Sequence, residues 1–301
     1  MQEFKGIFAI MATPFDREGQ VDTESICKLV EFNIGKGVHG LTILGILGEA
    51  HKLNELERDT VITTAIQQAA GRIPVIVGTS AGGTDLALYY SKRAMELGAD
   101  GVMLAPPMNV KNLDSVFEYY RRIASGVSAP MVVQDEPNFS GVLMPPEFLA
   151  RLCTEIPHCK HIKLEEAPTP QKLARTKSLV KPEVGIFGGL GGVYFLEEMV
   201  RGASGTMTGF AFPEILVEIY QCYRDGNIEK ARSIFYEASP LIRYEGQIGI
   251  GLAIRKEILK RRGVIAHAAL RHPGPSLDQA HQEELGTLLA YMEAANKVQL
   301  R

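Results

Sequence analysis

Short apolar, β-branched runs alternate along the chain with longer segments in which apolar residues recur every three or four positions. The first pattern predicts strands, and the second predicts helices that bury one face. The strand-like runs are Ile7 to Thr13, Gly40 to Gly45, Pro74 to Ser80, Gly101 to Pro106, Pro130 to Asp135, His161 to Glu165, Val184 to Gly188 and Gly205 to Gly209. Helical stretches between them include Thr23 to Lys36, Glu55 to Ala70, Thr84 to Leu97, Asp114 to Ser125 and Pro146 to Ile156. Strand and helix in strict alternation build parallel sheets. Eight such units predict an α/β fold closed into a (β/α)8 TIM barrel. An open doubly wound sheet would use fewer strands and carry a glycine-rich nucleotide turn after the first of them. Here the first run leads into Met11-Ala12-Thr13-Pro14-Phe15, and the proline removes a donor that a phosphate cradle would need.

The strand pattern stops near residue 225. Three helical segments follow, Ile228 to Leu241, Gly249 to Arg262 and Asp278 to Val298. In the first of them Ile228, Ala231, Ile234, Phe235 and Ala238 have the spacing of a helix with one buried face. The expected organisation is a barrel over 1–225 and a C-terminal helical extension over 226–301 that packs on the barrel or builds a subunit interface.

With 46% hydrophobic and 22% charged residues among 301, the chain has the make-up of a folded globular protein. A net charge of −3 and a pI near 6.2 supply no basic field for nucleic acid or anionic membrane, so the expected partner is a small molecule. Cys27, Cys153, Cys159 and Cys222 have no metal-ligand or redox spacing. The seven histidines, His39, His51, His158, His161, His267, His272 and His281, include no HxH or HxxxH pair. Neither a metal nor another cofactor is therefore expected, and the histidines read as surface residues. The chain opens without a charged leader and apolar core, and no apolar run is long enough to span a bilayer. The expected location is the cytoplasm, with reduced thiols.

Candidate chemistry starts at His161-Ile162-Lys163-Leu164-Glu165. Side chains alternate along a strand, so Ile162 and Leu164 share one face while Lys163 and Glu165 share the other. If the apolar pair packs outward under helices, the charged pair points into the space the sheet encloses. A buried strand lysine is a candidate for imine formation with a carbonyl substrate, because burial penalises the ammonium and favours the nucleophilic amine. The alternative is a lysine at a strand end, reaching solvent or paired with Glu165. In such a barrel the active site lies at the carboxyl ends of the strands. The second run ends there in Gly45-Ile46-Leu47-Gly48-Glu49, whose flanking glycines let backbone N–H groups converge on an anion such as a carboxylate. The fifth ends in Val133-Gln134-Asp135-Glu136-Pro137. Gln134 is able to hydrogen-bond but not to shuttle a proton, and Asp135 and Glu136 are open to reading as solvated loop charges. A glycine run, Phe187 to Gly192, admits a rival reading as a phosphate site, although no cation accompanies its amides.

These residues carry a resemblance. Thr13-Pro14-Phe15, Gly45 with Gly48-Glu49, Pro137 with Gly141, Lys163, and Gly205 to Thr208 resemble the dihydrodipicolinate synthase and N-acetylneuraminate lyase superfamily over nearly the whole chain. The resemblance implies a (β/α)8 barrel and a class I aldolase-type mechanism, with Lys163 forming a Schiff base with a 2-oxo acid. It also implies a homotetramer built as a dimer of dimers. Two hydroxyl residues usual in the second-strand turn are replaced by Ile46 and Leu47. The strand-five tyrosine aligns with Gln134 and the arginine after it with Phe139, and a tyrosine contributed by a neighbouring subunit falls near Met108. A second set, Val133 to Pro137, Phe148 to Arg151, Lys163 to Glu165, Met207 to Gly209 with Phe212-Pro213, and Gly263 to Ala266 with Arg271 to Pro273, resembles the branch containing 2-keto-3-deoxy-L-arabonate dehydratases, which shares the glutamine. The expected function is a lyase dehydrating a 2-keto-3-deoxy sugar acid. Lys163, Gln134 and Glu165 are then the catalytic set, and Gly45, Ile46, Leu47, Gly48, Glu49, Gly189, Met207 and Thr208 contact the substrate. The alternatives are a pyruvate-dependent aldolase or synthase of the same superfamily, or a 2-oxo-acid-binding barrel without turnover.

Overall fold

The computed structural model describes residues 4–295, 298 and 300. Its eight strands are β1 Gly6–Ile10, β2 Gly40–Ile43, β3 Val75–Gly78, β4 Gly101–Leu104, β5 Met131–Asp135, β6 Cys159–Leu164, β7 Gly185–Gly188 and β8 Gly205–Thr208. They close in sequence order into a barrel, parallel at every seam including that between β8 and β1. The helices are α1 Thr23–Gly35, α2 Glu55–Ala69, α3 Thr84–Glu96, α4 Leu113–Gly126, α5 Pro137–Ser140, α6 Pro146–Glu155, α7 Thr169–Lys177, α8 Phe195–Val200, α9 Pro213–Arg224, α10 Ile228–Glu245, α11 Gly251–Arg261 and α12 Gln279–Ala294. Their starts are set by polar caps: Asp22 accepts from Ser25 N, and Asn54 and Glu57 form a reciprocal capping box, which satisfies first-turn amides that have no partner inside the helix.

Two apolar layers follow from strand alternation. Phe4, Phe8, Ile10, Ile76, Met103, Val132, Phe187 and Met207 fill the barrel interior. The opposite strand faces, among them Val133, Ile162 and Leu164, pack outward against the helices. Six of the strands end short of the apolar runs that predict them, β5 and β7 being the exceptions, because the chain leaves the ladder to form turns at the barrel mouth. Leu44, expected to continue β2, instead takes a left-handed φ of 55°. Gly78 on β3 makes room for that turn, since a Cβ there would lie 2.2 Å from Leu44 O.

The C-terminal extension holds α10, α11 and α12. The last helix ends at Ala294, short of the predicted Val298, and residues 296 and 297 lie outside the described residues. From Ala253 to Leu259 every residue of α11 is buried, so the charges on that helix are packed against something. Two histidines expected at the surface are packed as well. His161 stacks inside the barrel floor with its ring centroid 4.9 Å from Phe4 and 5.9 Å from Phe187, and His39 accepts a hydrogen bond from Ile7 N at 3.2 Å. His161 shares the inward face of β6 with Lys163, so the same alternation that buries the lysine buries the imidazole.

Candidate active site

Lys163 and Gln134 are register partners across β6 and β5, and both side chains enter the barrel, Lys163 being 5% and Gln134 2% exposed. One residue beyond the end of β6, Glu165 completes the group. Its Oε2 lies 2.8 Å from Lys163 Nζ and accepts from Gln134 Nε2 at 2.9 Å, while Oε1 accepts from Leu190 N at 3.2 Å. The carboxylate is thus held from three directions, by an ammonium, a side-chain amide and a backbone amide. Fixed hydrogen bonds of this kind lock an acid–base group into one geometry at no further ordering cost during reaction.

The glycine run after β7 has its explanation here. A Cβ on Gly189 would lie 2.5 Å from both Cγ and Oε1 of Glu165, so only glycine lets this turn approach the carboxylate. The Leu190 amide, which the phosphate reading would aim at a ligand, is directed at Glu165. Gly189→Ala is expected to lower kcat by about tenfold to a hundredfold by pushing Glu165 off its position. Steady-state kinetics beside circular dichroism would separate that from unfolding.

The turn after β2 is bracketed by two left-handed non-glycine residues, Leu44 at φ 55° and Glu49 at φ 54°. Such backbone persists only where the surroundings impose it. Thr13 Oγ1 donates to Gly48 O at 2.7 Å, and Gly48 N and Glu49 N close the turn onto Gly45 O and Ile46 O, each at 3.0 Å. Two of the amides expected to cradle an anion are therefore engaged, and those of Ile46 and Leu47, first in the turn, remain for it. A cleft of about 400 Å³ opens beside them, with Gly45, Ile46, Met103, Phe139 and Gln134 in its wall. Lys163 is not part of that wall; it stands behind Gln134, joined through Glu165.

The side chain of Glu49 is turned away from the cleft. It is 1% exposed and pairs with Lys256 Nζ at 2.8 Å and Lys52 Nζ at 2.9 Å, and it accepts from Arg271 N at 3.0 Å. Lys256, 0% exposed, also donates to Ala269 O and lies over the Phe15 ring. Burial pushes its ammonium down to about 8, against the opposing pull of Glu49. Glu49 is thus the anchor by which the extension grips the turn after β2. On β8, Met207 faces the interior. Thr208, the next residue, is turned the other way by strand alternation, and its methyl lies 3.9 Å from the place of a Cβ on Gly192, beyond the interior that Met207 occupies.

Three carboxyls beside the site lie deeper than their sequence context indicates. Asp135, open to reading as a solvated loop charge, is wholly buried on the outward face of β5, with Lys172 Nζ 2.6 Å away. Burial pushes it up to about 7 although Lys172 opposes the shift. Glu136, read in the same way, is buried too and caps α5 by accepting from Phe139 N. Glu198 on α8 accepts from Thr169 Oγ1 at 2.5 Å, and burial carries it to about 7 against that hydrogen bond, with Glu165 adding to the rise. A carboxyl with its folded pKa above the ordinary value of 4.5 holds its proton more tightly when folded. Its stabilising contribution is complete below the unfolded pKa and is lost as pH rises through the folded one. Glu198→Gln is expected to flatten part of that loss and to leave the variant more stable than the parent above about pH 8 by about 1–3 kcal/mol. Denaturant midpoints measured across this range would show it.

Comparison with known proteins agrees with the geometry. The model of the dihydrodipicolinate synthetase family matches residues 3–292. The L-2-keto-3-deoxyarabonate dehydratase of Azospirillum brasilense is 33% identical over 302 residues, which is 99% of this chain and 96% of the relative. A 4-hydroxy-tetrahydrodipicolinate synthase of Kosmotoga olearia is 31% identical over 245 residues, 80% of this chain and 82% of the relative. Among solved structures, the dihydrodipicolinate synthase of Rhodopseudomonas palustris superposes with a TM-score of 0.91 at 36% identity, covering 95% of this chain and 97% of that one. A match of that length leaves no strand of the barrel outside it, and the chain belongs to the dihydrodipicolinate synthetase family.

Proposed function

We propose that the protein is a Schiff-base lyase that dehydrates a 2-keto-3-deoxy sugar acid. The observation that carries this reading is the buried contact of 2.8 Å between Lys163 Nζ and Glu165. The amine must lose a proton before it attacks a ketone, and Glu165 is the acceptor beside it. Attack of Nζ on C2 and loss of the carbonyl oxygen as water give the imine. The imine draws electrons from C3, so a base removes the C3 proton, the C4 hydroxyl leaves as water once protonated, and hydrolysis returns the amine. Glu165 is placed to move these protons. Gln134 orients it through the bond to Oε2 and carries no proton itself. The Ile46 and Leu47 amides hold the substrate carboxylate.

Dehydration is supported over carbon–carbon chemistry by the similarity to the Azospirillum dehydratase along almost the entire length. Condensation or cleavage with pyruvate is the second reading, supported by the synthase relatives. A binding barrel without turnover has less support, since it gives no role to an amine and a carboxylate held together. Borohydride trapping with a panel of 2-oxo acids, followed by product analysis, tests all three. An adduct on Lys163 with loss of water is the expected result; pyruvate release or condensation would favour the second reading, and binding without an adduct would end both catalytic ones. Action in the cytoplasm, and assembly as a tetramer of two dimers, belong to the same reading. Met108, 59% exposed beside the cleft, is the side chain a neighbouring subunit would cover, and light scattering tests the assembly.

A further inference from the structure

The buried charges that this mechanism leaves unused are concentrated on α11. Lys256 is satisfied by Glu49 and Ala269 O, but its neighbour Arg255 is not. Arg255 is 5% exposed. Its Nε donates to Glu245 Oε1, and the other oxygen of Glu245 accepts from Ala211 N at 3.0 Å. Nη1 is buried and has no hydrogen-bond partner among the described residues. Leaving a buried cationic donor without an acceptor is costly, and folded proteins rarely do it without a reason.

The position of that nitrogen supplies one. A Cβ on Gly209, just past β8, would lie 2.6 Å from Arg255 Nη1, 2.6 Å from Ile10 O and 3.0 Å from Leu47 Cδ1. Only a residue without a side chain lets the guanidinium come this close to the barrel mouth. Leu47 belongs to the turn whose amides face the substrate, and its side chain packs on the interior cluster beneath the mouth. Across the mouth the turn after β5 offers the ring of Phe139 and no cation. Arg58, the buried guanidinium that lines the cleft, donates to Ala50 O at 3.2 Å and Gly78 O at 3.0 Å and stacks on Tyr90, and none of its nitrogens is orphaned among the described residues.

We propose that Arg255 Nη1 receives the carboxylate of the 2-oxo acid, so that the C-terminal extension completes the anion site begun by the amides of Ile46 and Leu47. The inference rests on the Schiff-base reading above. Glu245 holds the guanidinium by Nε and leaves Nη1 for the ligand, and the Leu47 side chain moves aside as the ligand enters. A charge-assisted bond from a guanidinium to a carboxylate discriminates strongly between an acid and its neutral ester.

The test compares pyruvate with methyl pyruvate in the parent protein and in Arg255→Met, reading the concentration of each that half-saturates borohydride-trapped adduct. The variant is expected to need about tenfold more pyruvate or greater, with methyl pyruvate changed by no more than about twofold. Equal loss for the two ligands, or no loss for pyruvate, overturns the assignment. If the Met variant does not fold, Arg255→Lys is read against the same pair, and again only a loss confined to the charged ligand supports the proposal. A parent that traps neither ligand removes the Schiff-base reading itself; a parent that traps both, beside a variant that weakens both alike, removes only the role of Arg255.

Discussion

Lys163→Ala is expected to abolish borohydride-trapped adduct with every 2-oxo acid and to lower turnover on the order of a thousandfold or more. Among the described residues no other amine is placed to replace it. Lys172, the next lysine near the mouth, is held by Asp135 at 2.6 Å and by Glu166 on the outer side of the strands, and Lys256 is held by Glu49 at 2.8 Å. Alanine also removes the cation from a buried pair, which by itself destabilises a fold by about 3–5 kcal/mol. Lys163→Arg separates the two effects, because a guanidinium keeps the charge opposite Glu165 but does not form an imine. The Arg variant is expected to melt closer to the parent than the Ala variant does and to be equally inactive. Turnover retained in either variant, with trapping retained at another lysine, would remove Lys163 from the mechanism.

The second large effect is at Glu165. Glu165→Gln is expected to lower kcat by about 10²–10⁴-fold and to slow adduct formation with a 2-oxo acid by much less, because the amide preserves shape and hydrogen bonding but neither accepts the proton of Lys163 nor moves one at C3 and C4. The adduct then accumulates at the imine and should be visible in the intact mass without prolonged incubation. Were the carboxylate only a counter-ion for Lys163, the same change would slow adduct formation and turnover in equal proportion. The geometry favours the first outcome. Glu165 keeps contacts to Gln134 Nε2 and Leu190 N that serve to orient it and that a simple counter-ion does not require.

Much of this site was legible along the chain. Alternation in His161 to Glu165 placed Lys163 and Glu165 on one face, and the structure puts them 2.8 Å apart. The same argument applied one strand over places Gln134 beside them. Applied to β8 it shows that Met207 and Thr208 cannot both face inward, a conflict visible in the sequence before any coordinates. The turn after β2 was recognisable by its glycines, but the use of Glu49 was not. Its partner Lys256 is 207 positions away, on a helix of the C-terminal extension. The one local signal was that α11 mixes Arg255, Lys256 and Glu257 with Ile254, Ile258 and Leu259 around its whole circumference, as happens when a helix is buried on every side. Asp135 and Glu198 were hidden for a related reason: the depth of a carboxyl on a strand end or on a helix face depends on how α7 and α8 close over the strands.

The sequence by itself determined the eight strand–helix units, the inward face of each strand and the residue able to act as a nucleophile. These are consequences of side-chain period and chemical type, which are written in neighbouring residues. Closure of the barrel and docking of the extension decided which carboxylate anchors a loop and which is held against Lys163 from three sides. They also decided which guanidinium reaches the mouth, because those pairings join residues far apart in the chain and depend on burial that no local pattern records.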